Sequence, residues 1–258
     1  MELKDKVIVV TGAGSGIGRA LVKRFQAEGP RTIIAADINA DNAAETAALY
    51  GAVAMSADVS KEEDVQRLIN ETERDYGAID LFCSNAGIAL GATEQSDNSE
   101  WALSWDVNVM AHVYAARHLI PRMVERGGGY LLNTASAAGL LNQLGGAAYG
   151  VTKHAAVGFA EWIAMTYRHQ GVKVSVLCPQ AVRTAMTAND SDSTKAAATD
   201  GMMEADELAE IVVEHIDREA FLILTHEEVK TYMQRKTSDY DRWIGGMNKM
   251  YRRLTGQE

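Results

Sequence analysis

Tyr149 and Lys153 stand four residues apart, a spacing that sets two side chains next to each other on one face of a helix. The pair has a chemical use. A phenol titrates near pH 10, so acid–base work around neutrality requires a shift of roughly 2–3 units, or about 3–4 kcal/mol in favour of the phenolate. A neighbouring ammonium contributes charge of the right sign. Taken alone, the two residues read better as a surface contact at helical spacing, and their chemistry has to be argued from what surrounds them.

Upstream, Thr11-Gly12-Ala13-Gly14-Ser15-Gly16-Ile17-Gly18 follows an apolar, strand-like run and opens a helical segment. Backbone N–H groups at such a junction, together with the helix dipole, hold a pyrophosphate, and glycine keeps a Cβ out of its path. Gly12, Ser15, Gly16, Ile17 and Gly18 are therefore candidate phosphate-binding residues. A glycine-rich turn is weak evidence by itself; the strand before it and the helix after it strengthen the signal. Three residues between the first two key glycines depart from the common dinucleotide fingerprint.

The second apolar run ends in Ala35-Ala36-Asp37, with Asp37 19 residues after Gly18, where a carboxylate accepts hydrogen bonds from the adenosine ribose. This residue is expected to select NAD. A 2′-phosphate about 4 Å from it would be repelled by roughly 4 kcal/mol at an effective dielectric of 20, and neither Ser15 nor Ile38 offers a cation in compensation. Asp37 also reads as a cap for a helix over residues 39–50, and the two roles can coexist. Asp58-Val59 and Asn85-Ala86-Gly87 fall at the ends of the third and fourth strand candidates, beside the glycine turn. Each has a plain alternative, Asp58 as a helix cap and the tripeptide as an ordinary turn, so their joint placement carries the weight.

The elements that must position these residues alternate in type. Short apolar, strand-like runs at 7–10, 32–35, 52–55, 80–83, 130–133, 172–177 and 221–224 are separated by segments of helical period at 16–28, 42–50, 62–76, 99–125, 149–168 and 205–217. The pattern predicts a doubly wound, seven-stranded parallel sheet flanked by helices, with ligands at the carboxyl ends of the strands where the order reverses. No repeat or Pro/Gly/Ser-rich linker divides residues 1–258, so one dinucleotide-binding and catalytic domain is expected. Residues 184–203 are small and polar with little periodicity, and read equally as a substrate lid or a surface insertion. The tail at 228–254 carries Met233, Trp243, Met247 and Met250 at spacings of three and four, which predicts a helix whose apolar side serves core packing or a subunit contact.

Composition narrows the partners. The formal charge of −10 is spread along the chain, which favours solubility and argues against nucleic acid. Residues 127–152 lack any charge and are long enough for a membrane span. Seven glycines together with Asn133, Ser136, Asn142 and Gln143 interrupt them, so a neutral pocket wall fits better. Cys83 and Cys178 lie in apolar runs and read as buried free thiols of a reducing, cytoplasmic compartment, and a strand-like segment from residue 7 leaves no room for a signal peptide. The six histidines show no metal-binding spacing.

The glycine turn, Asp37, Asp58, Asn85-Ala86-Gly87, Asn108, Ser136, Tyr149-x-x-x-Lys153 and the segment from Pro179 to Thr184 occur in an order and spacing that resembles the short-chain dehydrogenase/reductase family, in its branch with TGxxxGxG and YxxxK motifs. The resemblance covers nearly the whole chain. It implies a single-domain Rossmann fold and an NAD-dependent oxidoreductase that interconverts a secondary alcohol and a ketone. Tyr149 would be the proton donor and acceptor, and Ser136 would hold the substrate oxygen. Lys153 would bind the nicotinamide ribose and, with the positive nicotinamide, lower the Tyr149 pKa. Asn108 would anchor a water in a proton relay. Asp37 with Ile38, and Asp58 with Val59, would flank the adenosine, while Pro179, Val182 and Thr184 would lie along the nicotinamide. A homotetramer built through the two long helices is implied, with a dimer as the second choice.

Read singly, Asn108 and Ser136 are as well explained as structural polar groups. Gln180 departs from the family's usual glycine and brings a side chain that bears on substrate specificity. Leu140, Leu141, Asn142, Gln143, Gln180, Met186, Met202 and Met203 are candidate pocket residues, which points to a small, mainly apolar alcohol or carbonyl compound with a polar handle. Two other classes compete. A catalytically silent NAD-binding regulatory or scaffold protein of the same fold is opposed by the intact Ser136, Tyr149 and Lys153. A non-redox relative such as a dehalogenase would be expected to lose the glycine turn and the lysine.

Overall fold

The computed structural model describes residues 1–188 and 191–257. Seven strands form the central sheet: β1 (Val7–Thr11), β2 (Thr32–Asp37), β3 (Val53–Ser56), β4 (Leu81–Ser84), β5 (Gly129–Thr134), β6 (Val172–Cys178) and β7 (Leu222–Leu224). Their order is β3-β2-β1-β4-β5-β6-β7, and every neighbouring pair is parallel. The order reverses between β1 and β4, so the loops that leave these two strands splay apart and open a crevice.

Parallel strands buried on both faces need apolar residues at successive positions, and β1 is buried along its whole length. Side chains alternate between the two faces. Val7 and Val9 pack with Val65, Leu68, Leu119 and Ile163 on one side, whereas Ile8 and Val10 pack with Leu21, Phe25, Leu208 and Val212 on the other. The first layer comes from α3 (Glu62–Tyr76), α5 (Ala111–Glu125) and α6 (Ala147–Tyr167), the second from α1 (Gly16–Gln26) and α7 (Ala205–Asp217). Cys83 and Cys178 are free and buried within these layers. Among the described residues no helix is long and apolar enough to cross a membrane.

Three expectations need correction. First, Asp37 does not cap α2 (Ala40–Tyr50): Asn39 does, its side chain accepting from Asn42 N, while Asp37 Oδ1 accepts from Asn39 N at 2.9 Å. Second, the segment expected as one helix over 99–125 is α4 (Asn98–Trp105), a π-helical turn (Asp106–Met110) and then α5. The wider turn inserts a residue without breaking the axis, a feature that hydrophobic periodicity does not register. Third, the described part of 184–203 is ordered by polar caps in place of apolar periodicity. Thr184 and Thr187 form a reciprocal capping box at the turn Ala185–Thr187, and Ser191 caps the helix Asp192–Ala197. Val182–Arg183 pairs with Met203–Glu204 across the base of this segment. Residues 189 and 190 of the expected lid lie outside the described residues.

The tail folds as α8 (Glu227–Ser238) and α9 (Tyr240–Leu254). The two helices pack on each other, with the Tyr232 and Trp243 rings 6.3 Å apart. No residue of α9 is buried, so its apolar side faces a cavity and not the core.

Candidate active site

The residues expected at the nucleotide and at the reacting centre, with the exception of Asn108, line one cleft of about 350 Å³ at the carboxyl ends of β1, β4 and β5. Steric limits in the glycine turn are severe. A Cβ on Gly18 would lie 2.1 Å from the Gly12 carbonyl oxygen, and one on Gly12, whose φ is +65°, would lie 2.8 Å from Ala86 Cα. The turn and the Asn85-Ala86-Gly87 segment are therefore in backbone contact, and any side chain between them would force β1 and β4 apart. Helix α1 begins here with Ser15 at its N-cap, no side-chain capping bond and no acidic residue in its first turn. The N–H groups at this end remain available to an anion.

A polar latch fixes the three strand ends. Thr11 Oγ1 donates to Cys83 O at 3.2 Å and accepts from Asn85 N at 3.0 Å, while the Asn85 side chain donates to Thr11 O at 3.1 Å and accepts from Thr134 Oγ1 at 3.1 Å. Asp37 Oδ2 accepts from Gly14 N at 2.9 Å, which pins the glycine turn against the end of β2. Beyond it Ile38 is 69% exposed at the rim of the cleft. Burial acts to raise the Asp58 carboxyl, yet the Ser60 hydroxyl and N–H and the Lys61 ammonium hold it below the ordinary carboxylate range.

At the reacting centre, Tyr149 and Lys153 occupy the first two turns of α6. The Lys153 Nζ lies 5.6 Å from the Tyr149 ring centroid and donates to Thr134 O at 3.0 Å. Lys153 is buried, and loss of hydration pushes its ammonium down to about 8. Ser136 follows β5; its hydroxyl donates to Pro179 O at 3.3 Å and accepts from Ala138 N at 3.1 Å.

The expected lowering of the Tyr149 pKa includes the nicotinamide charge; in the protein by itself the phenol is raised. Burial raises the phenol, and the Ser136 hydroxyl only partly opposes that. Lys153 is itself desolvated, its Nζ lies 5.6 Å from the ring centroid, and one of its three N–H donors goes to Thr134 O at 3.0 Å. The lysine alone therefore does not supply the required stabilisation of phenolate.

Asn108 lies behind the cleft on the π-helical turn, fully buried. Its Nδ2 donates to Ile88 O at 2.9 Å and to Thr152 Oγ1 at 3.1 Å, and its Oδ1 accepts from Ile88 N at 3.0 Å. The amide thus ties the loop after β4 to α6. A Cβ on Gly87 would come within 3.2 Å of Asn108 Oδ1 and 3.3 Å of Lys153 Nζ, so a bare backbone at that position lets all three groups approach. Sequence reasoning missed His112, one turn after Asn108. It is buried, neither ring nitrogen makes a well-formed hydrogen bond among the described residues, and burial with the nearby Lys153 charge outweighs the neighbouring Asn133 amide and pushes its pKa down to about 3.

A second cavity, about 240 Å³, adjoins the cleft and shares Ser136 and Gln180 with it. Leu141, Asn142, Gln143 and Gln180 line it as expected of pocket residues, and Met186 lines the first cleft. Leu140 and Met203 instead pack against the two core layers. The outer wall comes from the tail, through Tyr232, Trp243, Met247 and Met250. Their apolar spacing is the same as that of a core-facing helix, so the sequence could not tell the two apart. Gln180 Nε2 donates to Ala197 O at 3.1 Å and Asp200 Oδ2 at 2.8 Å, so this departure from the family pattern fastens segment 191–200 over the cavity.

Comparison with known proteins adds independent findings. Residues 6–195 match the family model described as short chain dehydrogenase. The chain is 34% identical over 257 residues to 1-deoxy-11-beta-hydroxypentalenate dehydrogenase of Streptomyces exfoliatus, covering 95% of this chain and 91% of that protein. It is 32% identical to meso-2,3-butanediol dehydrogenase of Serratia marcescens, over 72% of this chain and 75% of that one. Among solved structures, a short chain dehydrogenase/reductase from Burkholderia phymatum in complex with NAD superposes with a TM-score of 0.85 at 29% identity, covering 93% of this chain and 96% of the other.

Proposed function

The chain belongs to the short chain dehydrogenase family, and from that premise we propose that it is an NAD-dependent enzyme interconverting a secondary alcohol and a ketone, with Tyr149 as the acid–base group. Its relatives are named as dehydrogenases of hydroxylated compounds, so oxidoreduction between alcohol and carbonyl is the family-level activity. The observation that carries the finer reading is the convergence of Ser136, Tyr149 and Lys153 on the same cleft as the glycine turn.

The residues present fit a dinucleotide. The glycine turn forms a cradle that a Cβ would fill, and the open end of α1 faces it. Asp37 stands where an adenosine ribose would bind and favours NAD, and Arg19, at the start of α1, donates from Nη2 at 2.6 Å to both Glu45 and the Gly14 carbonyl. Such a committed arginine offers little to a 2′-phosphate. The structure of the Burkholderia phymatum relative contains NAD, which supports the same choice. When bound, the nicotinamide supplies the hydride acceptor for oxidation and the hydride donor for reduction.

The remaining work falls to this chain. Ser136 holds the substrate oxygen by hydrogen bonding. In oxidation Tyr149 takes the carbinol proton as the C–H bond breaks, and in reduction it returns a proton to the carbonyl oxygen. Lys153 provides positive charge behind the phenol and a donor for a ribose hydroxyl. Because burial raises Tyr149 in the protein alone, the second positive charge needed to favour phenolate arrives with the oxidised cofactor. Asn108 positions the loop after β4 against α6 and supports the proton path.

Assembly as a homotetramer, with a dimer as the second choice, completes the proposal. Leu103 and Trp105 on α4 and Val151, Trp162 and Met165 on α6 are exposed, the kind of apolar surface that subunit contacts cover. The test of function is direct: the purified protein is given a panel of secondary alcohols with NAD or NADP, and reduced nucleotide is followed by absorbance. NADH formed faster than NADPH supports the reading. Binding of NADH without turnover of any alcohol would overturn it.

A further inference from the structure

The cavity beside Ser136 is lined by several apolar side chains and carries charged residues of both signs at its mouth. Leu141, Trp243, Met247 and Met250 are the large apolar side chains among its lining residues. Two charged residues also line it, Asp200 and Arg235, and they differ in one respect. The Asp200 carboxylate is already engaged, accepting from Tyr232 Oη at 2.9 Å and from Gln180 Nε2 at 2.8 Å. Arg235 has only the face of Tyr232, 5.8 Å away.

Around the same mouth Arg235 and Arg242 line a shared hollow with Asp239 and Trp243. Asp239 lies four residues after Arg235, the spacing of a helical ion pair, but its carboxylate caps α9 by accepting from Arg242 N at 2.9 Å. Neither arginine has an ion-pair partner among the described residues. The arginines on α1, α3 and α5, by contrast, are paired with acids, as in Arg24 with Glu210, Arg67 with Asp64, Arg122 with Glu73 and Arg117 with Glu62. In a chain of net charge −10, the two acids at this entrance are already engaged in hydrogen bonds, whereas the two guanidinium groups have no carboxylate partner among the described residues.

We infer that Arg235, with Arg242 beside it, reads a carboxylate on the substrate: the preferred substrate is an apolar, ring-sized secondary alcohol bearing one acidic group. This rests on the dehydrogenase reading of the same site. The ring fills the space between Leu141 and the Trp243–Met250 side of α9, the carbinol meets Ser136 and Tyr149 at the inner end, and the acid reaches the planar guanidinium fork at the outer end. A monoanion fits better than a phosphate dianion, because Asp200 and Asp239 share the entrance and a second negative charge would meet their repulsion.

The test separates this inference from the dehydrogenase reading. Cyclohexanecarboxylate and the neutral cyclohexanecarboxamide, neither of which can be oxidised at a carbinol, are titrated into the NADH-loaded protein and followed by tryptophan fluorescence, Trp243 being in the wall. The carboxylate should bind about tenfold to a hundredfold tighter than the amide, the range for a charge-assisted hydrogen bond. R235L should erase that ratio and R235K restore part of it. Alongside, 4-hydroxycyclohexanecarboxylate and its methyl ester are compared as substrates, and R235L should raise KM for the acid towards that of the ester with a smaller effect on kcat. Equal binding of acid and amide by the unaltered protein, or a ratio unmoved by R235L, overturns the inference even if neutral alcohols are oxidised. Loss of all turnover with the carboxylate preference intact would instead overturn the dehydrogenase reading alone.

Discussion

Replacing Asp37 with asparagine removes one negative charge while keeping an acceptor oxygen for Gly14 N, which Asp37 holds at 2.9 Å. A 2′-phosphate placed about 4 Å from the carboxylate is opposed by roughly 4 kcal/mol at an effective dielectric of 20, an upper limit near a thousandfold in affinity. Asp37 is only part-buried and Ile38 beside it is 69% exposed, so solvent and salt screen the interaction. A gain of about tenfold to a hundredfold in NADPH affinity is the expected outcome of Asp37→Asn. NADH affinity should fall by less, because the amide still accepts a hydrogen bond from a ribose hydroxyl. Fluorescence titration of both reduced nucleotides at low and high ionic strength measures the effect, and the difference between wild type and variant should shrink as salt rises. A wild-type protein that binds NADPH as tightly as NADH, or a variant with an unchanged ratio, would refute the electrostatic argument.

Lys153→Met should abolish most turnover yet stabilise the fold near neutrality. The folded Lys153 pKa of about 8 lies below its ordinary 10.5, so between these values the unfolded chain holds a proton that the folded chain has released, and stability rises with pH across that window. Below pH 8 burial of the charged lysine costs on the order of 3 kcal/mol, which methionine avoids; thermal melts of the two proteins should differ most near pH 7 and converge towards pH 10, and a parallel pair of melting curves would contradict this. For assembly, light scattering should give a mass several times that of one 28.0 kDa chain, and Trp162→Glu with Met165→Glu on α6 should lower it; a monomeric wild-type protein would rule out the subunit contact.

The legible part of the sequence consists of residues whose backbone context forces their position. A glycine turn between a strand and a helix, Asp37 at the end of β2 and Asn85 at the end of β4 must all gather at the carboxyl edge of a parallel sheet, and the cleft contains each of them. The central strands β1, β4, β5 and β6 could be counted because burial on both faces writes near-continuous apolar runs. The π-helical turn at Asp106–Met110 was not legible, since one extra residue barely disturbs an amphipathic pattern over 99–125. His112 was likewise hidden: one histidine among helical apolar positions carries no sign that Asn133 and Lys153 will lie near it. The tail reads as core packing or a subunit contact because Trp243, Met247 and Met250 have the spacing of a buried face. Only the fold reveals that this face closes over a cavity that reaches Ser136. Spacing places a lysine near the Tyr149 phenol without saying how far its charge reaches the hydroxyl, and in the protein without the nicotinamide charge burial raises the phenol.

The central claim is that Tyr149 moves the proton while other residues of the cleft hold the coenzyme. Tyr149→Phe tests it most directly, with NADH binding and alcohol-dependent NADH formation measured on the same preparation. Turnover should fall by about 10²–10⁴, the range for losing an acid–base group, with NADH affinity changed little. Undiminished turnover in the phenylalanine variant would contradict the account.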